Sequence, residues 1–403
     1  MSKRILIIGA GFAGMWSALA AARLLDQARR SDVEVALIAP APELHVRPRL
    51  YEHDPIRMKA PLGEIFATTG IRFIAGMVER IDVEGRQVHV AGGGSDTSQQ
   101  VISYDRLVLA AGSRLHCPPI PGLQAHTFNV DQIASAAELE EHIRGLAARP
   151  ASARRNTVVI AGAGFTGIET AAEMPARLRQ ALGDDSPVHI IMVERNADVG
   201  PDLGPGPRPV ITQALTELGV SWKLGSGVAS VEANGVTLES GERIEADTVV
   251  WTAGARANGL TAQVPGERDN FGRLHVDANL RVKGVRDVFA TGDCAYAATD
   301  NEGNYASMSC QHAMNLGRSA GHNVAADLIG DDFIPYSQPA YVTCLDLGSW
   351  GAVYTEGWDR QVKLTGATGK ALKTQINTQW IYPPAGDRAE LLALADPRRI
   401  VVA

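Results

Sequence analysis

Arg4-Ile5-Leu6-Ile7-Ile8-Gly9-Ala10-Gly11-Phe12-Ala13-Gly14 stands at the start of the chain, and Thr157-Val158-Val159-Ile160-Ala161-Gly162-Ala163-Gly164-Phe165-Thr166-Gly167 repeats its pattern further on. In each, an apolar run that reads as a strand ends in G-x-G-x-x-G and passes into a helical pattern. The first glycine makes the tight turn, the second lets the backbone reach a pyrophosphate, and the third lets helix pack on strand. The helix N-terminus then faces the phosphates and favours their charge. A single match of this kind also fits a plain strand-to-helix turn. Two of them, with Thr291-Gly292-Asp293 downstream, imply two dinucleotides held by one protein.

The 403 residues suffice for two or three domains, each with its own core. Hydrophobic residues at 45% and charged residues at 21% are ordinary for a soluble globular enzyme. Net charge is -7 and no Lys/Arg block is present, so nucleic acid is not an expected partner. Residues 1–25 carry early positive charge and many apolar residues, as a signal peptide does, yet Gly9, Gly11 and Gly14 punctuate them as a strand followed by a helix. No stretch has the uncharged apolar length of a membrane span, and the expected location is the cytoplasm. Cys117, Cys294, Cys310 and Cys344 form no C-x-x-C pair, so a redox disulfide is not supported, and metal-ligand spacing is absent. All four read as small residues packed inside. Cys294 and Cys344 remain candidates for reactivity because both fall where the chain approaches a cofactor.

Working outward from the first fingerprint, the pattern predicts a strand over 4–8, a helix over 13–25 and a strand over 33–39. A loop and a short helical piece follow over 44–65. The short alternating runs 78–83, 87–90 and 100–102, broken by Gly92-Gly93-Gly94, read as a small antiparallel meander. Residues 107–112 are a buried strand ending at the carboxyl edge of the sheet, where such sheets bind ligands. Around the second fingerprint come a strand over 157–161, a helix over 165–181, a strand over 188–194 and a closing strand over 248–251 before Thr252-Ala253-Gly254. The chain then returns to the first unit through 274–290 and a helix over 309–328 whose Ala313, Leu316, Ala320, Val324 and Leu328 recur at helical spacing. The expected class is α/β: two Rossmann-like domains, the first discontinuous over 1–116 and 256–330, the second inserted over 117–255, and a small C-terminal α+β interface domain over 331–403.

At this point the chain resembles the two-dinucleotide-binding flavoproteins, most closely the type II NADH dehydrogenases and their soluble relatives. The resemblance extends to about residue 329 and rests on four motifs: Gly9-Ala10-Gly11-Phe12-Ala13-Gly14, Ala110-Ala111-Gly112, Gly162-Ala163-Gly164-Phe165-Thr166-Gly167-Ile168-Glu169 and Ala290-Thr291-Gly292-Asp293. It implies FAD on the first fingerprint with Ala111, Gly112 and Gly292, and Asp293 accepting from the ribityl chain; a helix N-cap is the alternative role for Asp293. It implies NAD(P)H on the second fingerprint, with Gly254 at the opposite strand end. Glu194, at the end of the next strand, favours the 2′-hydroxyl of NADH; Arg195 beside it keeps NADPH open. Arg47 and Pro48, in His45-Val46-Arg47-Pro48-Arg49-Leu50-Tyr51, fall where relatives pass a loop beside the isoalloxazine; a solvated arginine beside a turn proline is the other reading. Three departures stand out. The acid expected at the end of the second strand is Ala39, with Glu43 as a substitute. Arg195 follows Glu194. The glutamine pair of quinone-reducing relatives is replaced by Asn315-Leu316, although Gln311 is kept.

The implied activity is hydride transfer from NADH to FAD and electron delivery to a small acceptor, with quinone as one candidate and a homodimer as one assembly. Glu169, one turn into its helix, is the candidate catalytic residue, orienting the nicotinamide amide and relaying a proton; a salt-bridging helix glutamate is its bland alternative. The helix over 309–328 is expected to aim its N-terminus at the flavin edge where negative charge develops. His312 is weighed as a proton donor, and Trp380, Tyr382, Pro383 and Pro384 as walls of an acceptor pocket. Rival readings are a reductase of a small iron-sulfur carrier, a sulfide:quinone-type oxidoreductase, and a flavoprotein that binds NADH as a sensor without turnover. The tail 387–399, a short helical stretch carrying acids and cut by Pro397, predicts a protein that works without a membrane anchor.

Overall fold

Lys3–Ile8 (β1) is apolar where it is buried, as befits a parallel strand covered on both faces, and Gly9 at φ 107 turns it into the helix Phe12–Gln27 (α1). The structure is a computed structural model that describes residues 3–92 and 99–399. Val33–Ala39 (β2) pairs parallel with β1. Segment 44–65 holds more than a loop and a helical piece: the ribbon of Glu43–His45 with Lys59–Pro61 encloses single turns at Arg47–Arg49 and Pro55–Arg57 before the short helix Gly63–Thr69.

The antiparallel meander is present, and its first strand, Arg72–Asp82 (β3), begins in the main sheet. This strand runs parallel to β2 over Arg72 to Ala75, then from Gly76 pairs antiparallel with Gln87–Gly92 (β4), which pairs with Gln99–Ser103 (β5). The three runs are thus the outer edge of the main sheet. The hinge is Gly76, where a Cβ would lie 2.4 Å from Val90 Cγ1, and a register shift between Val78 and Arg80 adds a bulge that twists the strand away. Gly93 and Gly94, read as a break, lie outside the described residues.

On the other side of β1 lies Arg106–Leu109 (β6). Thr157–Ala161 (β7), Phe165–Leu182 (α2), His189–Glu194 (β8), Val220–Leu224 (β9) and Thr248–Trp251 (β10) build a second, parallel sheet in the order β9-β8-β7-β10. Val288–Ala290 (β11) then pairs parallel with β6, completing a seven-stranded sheet in the order β11-β6-β1-β2-β3-β4-β5. Cys310–Ile329 (α3) follows, with Ser309 Oγ accepting from the His312 amide at its start and Gly330 at φ 75 ending it.

α3 lies against α1 through small residues. A Cβ on Gly317 would sit 2.5 Å from Ala13 O, and one on Gly321 would sit 2.1 Å from Ser17 O, while Ser17 Oγ donates to Gly317 O at 3.1 Å. The fingerprint helix and the helix behind Asp293 are therefore in backbone contact. Gly321→Ala is expected to lose about 1–3 kcal/mol of stability by overpacking, read as a lower urea midpoint at unchanged slope.

After Pro335 the antiparallel strands Val342–Asp346 (β12), Ala352–Glu356 (β13) and Gln361–Thr365 (β14) form a three-stranded sheet covered by Gly366–Gln375 (α4), which runs into a π-helical turn at Ile376–Trp380. Arg388–Leu394 (α5) starts with a capping box between Asp387 and Glu390 and returns to α1, burying Leu391 and Leu392. Arg23 pairs with Asp396 at 2.5 Å beside it. No described helix is long and apolar enough to cross a membrane.

Candidate functional site

Three turns meet at the carboxyl edge of the seven-stranded sheet. A Cβ on Gly9 would lie 2.4 Å from Ala110 O, one on Gly14 would lie 1.9 Å from Gly9 O, and one on Gly292, at φ 58, would lie 2.7 Å from Ala13 Cβ. The fold thus brings Gly9, Ala13, Gly14, the Ala110-Ala111-Gly112 end of β6 and the Gly292 turn into contact. Gly11 is different: a Cβ there would meet nothing within 4 Å, so it borders open space. Phe12 begins α1, whose N-cap makes no side-chain bond and whose first turn carries no acid, so its amides are left for an anion. Gly112 sits at φ 68, with its carbonyl accepting from the Asn258 amide at 2.9 Å and from Cys294 Sγ at 3.5 Å.

Asp293 lies beside this cradle. Ser113 Oγ donates to its Oδ2 at 2.6 Å and Arg47 Nη1 lies 4.0 Å away; burial raises its carboxyl pKa, and Ser113 and Arg47 oppose the rise. Thr291 Oγ1 and Gln311 Oε1 are buried without a hydrogen-bond partner, an arrangement suited to a polar ligand. Open cradle, free amides and unpartnered polar atoms fit a dinucleotide such as FAD. The solvated-arginine reading of Arg47 is overturned: it forms an ion pair with the Asp131 carboxylate, donates to Asp131 O at 3.0 Å and to Ser113 O at 3.2 Å. Pro48 follows it at the start of the single turn. Ala39 is buried at the end of β2, and Glu43, its proposed substitute, accepts from Lys59 Nζ at 3.0 Å.

The second fingerprint repeats the geometry. A Cβ on Gly162 would lie 2.9 Å from Thr252 Oγ1 and one on Gly167 2.0 Å from Gly162 O, whereas the nearest atom to one on Gly164 is Asp202 Oδ2 at 3.9 Å. Phe165 starts α2 and Thr166 is exposed on its first turn. Gly254, at φ 82, is exposed beyond β10 and accepts from the His116 amide at 2.7 Å. Glu194 reaches back over the loop: Oε2 accepts from the Ala163 amide at 2.9 Å and Oε1 from the Asn196 amide at 2.9 Å. Arg195 is exposed, and Arg208 is drawn to Asp198 at 3.2 Å.

Glu169 is buried on α2, in a cluster that reading along the sequence did not find. Its Oε1 accepts from Lys373 Nζ of α4 at 2.8 Å and from the Asp346 amide of β12 at 3.1 Å. Lys373 also donates to Cys344 O at 2.9 Å and stands 5.7 Å from the Phe165 ring centroid. Asp346 in turn binds Lys370 Nζ at 2.5 Å and the Tyr51 hydroxyl at 3.1 Å. Burial pushes the Glu169 carboxyl up to about 7, against the pull of Lys373, while the Glu169 carboxylate raises the Lys373 ammonium. Such a carboxyl exchanges a proton at neutral pH. Lys370 and Lys373 lie three apart on one helix, the one local signal that could have drawn attention to them.

Other candidates settle differently. Cys117 is exposed, contrary to the reading of four interior cysteines, because it precedes Pro118 in an irregular crossing where no regular element covers it. Burial pushes the Cys294 thiol up to about 12 and Cys344 up to about 11, so both stay protonated. His312 is buried among Tyr341 and Trp358, Ser307 and Ser309 hydroxyls reach its Nδ1, and burial pushes it down to about 4. A neutral, packed ring of this kind is a poor proton donor. Trp380 is exposed, and the Tyr382 hydroxyl accepts from Arg49 Nη1 at 2.9 Å.

Comparisons with known proteins agree with this geometry. Residues 3–317 match the family described as Pyridine nucleotide-disulphide oxidoreductase. A NADH dehydrogenase-like protein of Mycobacterium tuberculosis is 47% identical over 400 residues, covering 98% of each chain. A type II NADH:quinone oxidoreductase of Staphylococcus epidermidis is 26% identical over 404 residues, covering 95% of this chain and 96% of its own. Among solved structures, NDH2 from Plasmodium falciparum in complex with NADH superposes with a TM-score of 0.78 at 13% identity, over 98% of this chain and 97% of that one.

Proposed function

This chain belongs to the pyridine nucleotide-disulphide oxidoreductase family, and from that premise we propose that it is an FAD-dependent NADH dehydrogenase that passes electrons to a small quinone-like acceptor. The observation that carries the reading is the buried Glu169–Lys373 pair, joining the second fingerprint helix to the C-terminal sheet and helix. An acceptor that takes up protons with its electrons is served by a buried carboxyl that burial makes less acidic; a one-electron iron-sulfur partner has no use for one. The similarity to quinone oxidoreductases supports the same choice, and no C-x-x-C pair supports a disulfide acceptor.

FAD bound on the first fingerprint supplies the site that takes a hydride from NADH and passes the electron pair on. The chain's own residues do the rest. The α1 amides take the pyrophosphate and Asp293 accepts from the ribityl hydroxyls. Arg47, tied to Asp131, holds Ser113 against Asp293. The α3 N-terminus lends positive potential to the flavin edge. On the second fingerprint the α2 amides take the NADH pyrophosphate and Glu194 accepts from the adenosine ribose. Glu169 keeps Oε1 fixed by Lys373 and the Asp346 amide, which leaves Oε2 to orient the nicotinamide amide and to hold the proton. Leu391 and Leu392 of α5 are buried against the body of the protein, so this helix offers no apolar face to a lipid, in keeping with a cytoplasmic enzyme.

Rapid mixing tests the proposal. NADH is expected to bleach the bound flavin and a water-soluble quinone to restore it within the turnover time; a persistent charge-transfer band without turnover would mean a sensor. The coenzyme choice has its own measure. NADH is expected to exceed NADPH in kcat/KM by about tenfold or more, equivalent to roughly 1.4 kcal/mol, and Glu194→Gln to narrow that ratio. A preference for NADPH would hand the site to Arg195.

A further inference from the structure

Beside the Glu169–Lys373 pair lies a cavity of about 510 Å³ at the junction of α2, α4 and the turns that follow β2. Its walls include Glu173, Asp346, Lys370, Lys373, Asn377 and Tyr382. It is polar, and its polar atoms form a graded series. Lys370, 35% exposed at its side chain, stands 3.5 Å from Glu173 and 2.5 Å from Asp346, which is 6% exposed. Asp346 meets the Tyr51 hydroxyl at 3.1 Å, and its amide donates to Glu169, 5% exposed, at 3.1 Å. The π-helical turn turns Asn377 inward, where it donates to the Tyr51 hydroxyl at 3.4 Å and to Glu52 Oε1 at 3.0 Å. π-Helical turns of this kind recur at functional sites.

We propose that this cavity is the inlet through which a proton from solvent reaches Glu169 in each turnover, with Asp346 as the positioning residue between the mouth and the carboxyl; the inference rests on the reading of the acceptor as one that takes up protons. The balance requires a proton from solvent. In NADH + H⁺ + A → NAD⁺ + AH₂ the nicotinamide C4–H bond breaks and supplies one hydrogen and both electrons, so the second hydrogen of AH₂ is a proton from water. The cavity reaches the Glu169 carboxyl through Lys373 and Asp346, which line it and whose ammonium and backbone amide both donate to Glu169 Oε1. The groups that face Glu169 and this path are Glu173 on α2, Lys370 and Lys373 on α4, Cys344 and Asp346 on β12, and Tyr51, Glu52 and His53 after the Arg47–Arg49 turn. Among them Lys373 lowers the carboxyl pKa and Asp346 raises it.

Thr378 lines the mouth and is exposed, so Thr378→Trp narrows the cavity without touching the buried pair. On the FAD-loaded protein reduced with NADH, reoxidation by dichlorophenolindophenol, which takes up a proton with its electron pair, is expected to slow by between about tenfold and a hundredfold in this variant. Reoxidation by ferricyanide, which takes none, is expected to be unchanged, and added imidazole to restore the dye rate. Equal slowing with both acceptors, no slowing with either, or no rescue overturns the inlet. Infrared H/D exchange at the Glu169 carboxyl gives a readout without turnover: deuterium is expected to arrive later in Thr378→Trp than in the parent, and equal arrival overturns the inlet. Asp346→Asn is expected to move the pH inflection of the dye step downward, a shift that a purely structural role would not produce. A parent that reduces the dye and no quinone overturns the quinone acceptor alone and leaves these arms to decide the inlet. A parent that cannot reduce the dye overturns both.

Discussion

Asp293→Ala is expected to purify without its yellow colour. The carboxylate sits between Ser113 Oγ and Arg47, next to the glycine cradle, and a ribityl hydroxyl there would donate to a charged acceptor. Hydrogen bonds to a charged group contribute about 1.5–3 kcal/mol each. Losing one such bond is expected to weaken FAD by about a hundredfold. The loss of bound ligand also lowers the melting temperature by mass action, and added FAD is expected to recover part of it. Full flavin content with unchanged affinity would remove Asp293 from the site.

Glu169→Gln is expected to slow single-turnover flavin reduction by NADH by about a hundredfold, the lower range for a positioned acid or base, while FAD content stays at the parent's level. In the parent, acceptor reduction that draws its proton from Glu169 is expected to fall as pH rises through about 7, because burial holds the carboxyl protonated up to there. The glutamine variant is expected to lose that inflection. Stability follows the same sign: a carboxyl whose folded pKa lies above its unfolded value stabilises most below the unfolded value and progressively less as pH climbs toward the folded one. Above about pH 7, where the parent's carboxyl is ionised, the substitution also leaves the Lys373 ammonium buried without its counter-charge, which costs about 3–5 kcal/mol. Glu169→Gln with Lys373→Met is therefore expected to regain stability in urea titrations without regaining rate. A reduction rate equal to the parent's in the single variant would return Glu169 to an ordinary ion pair.

Both fingerprints were legible because what makes them is local: a strand, a positive-φ turn that only glycine accepts readily, and a helix that starts at once. The Gly292 turn was legible for the same reason. The partners of Glu169 were not. Lys373 lies 204 positions away in the chain and the Asp346 amide 177, so no periodicity links them, and each alone looks like a surface charge. The bend in β3 was missed because Phe73 and Ile74 are both half-buried on the parallel side and do not alternate, which hid the continuity with the alternating run after Gly76. Arg47 was read as either ligand-binding or solvated, and the structure gives it a third role that depends on Asp131, a residue in another part of the chain.

The pairing of β6 with β11 joins Leu107 to Val288, so the edge of the main sheet waits for strands made much later. On a ribosome adding about 5–20 residues per second, that edge stands open for roughly ten to forty seconds after β6 emerges. The whole second sheet is synthesised in the interval and can close before the first one does. During synthesis, then, the hazard lies with the N-terminal half, whose apolar β6 edge invites other strands until residues 288–329 arrive to cover it.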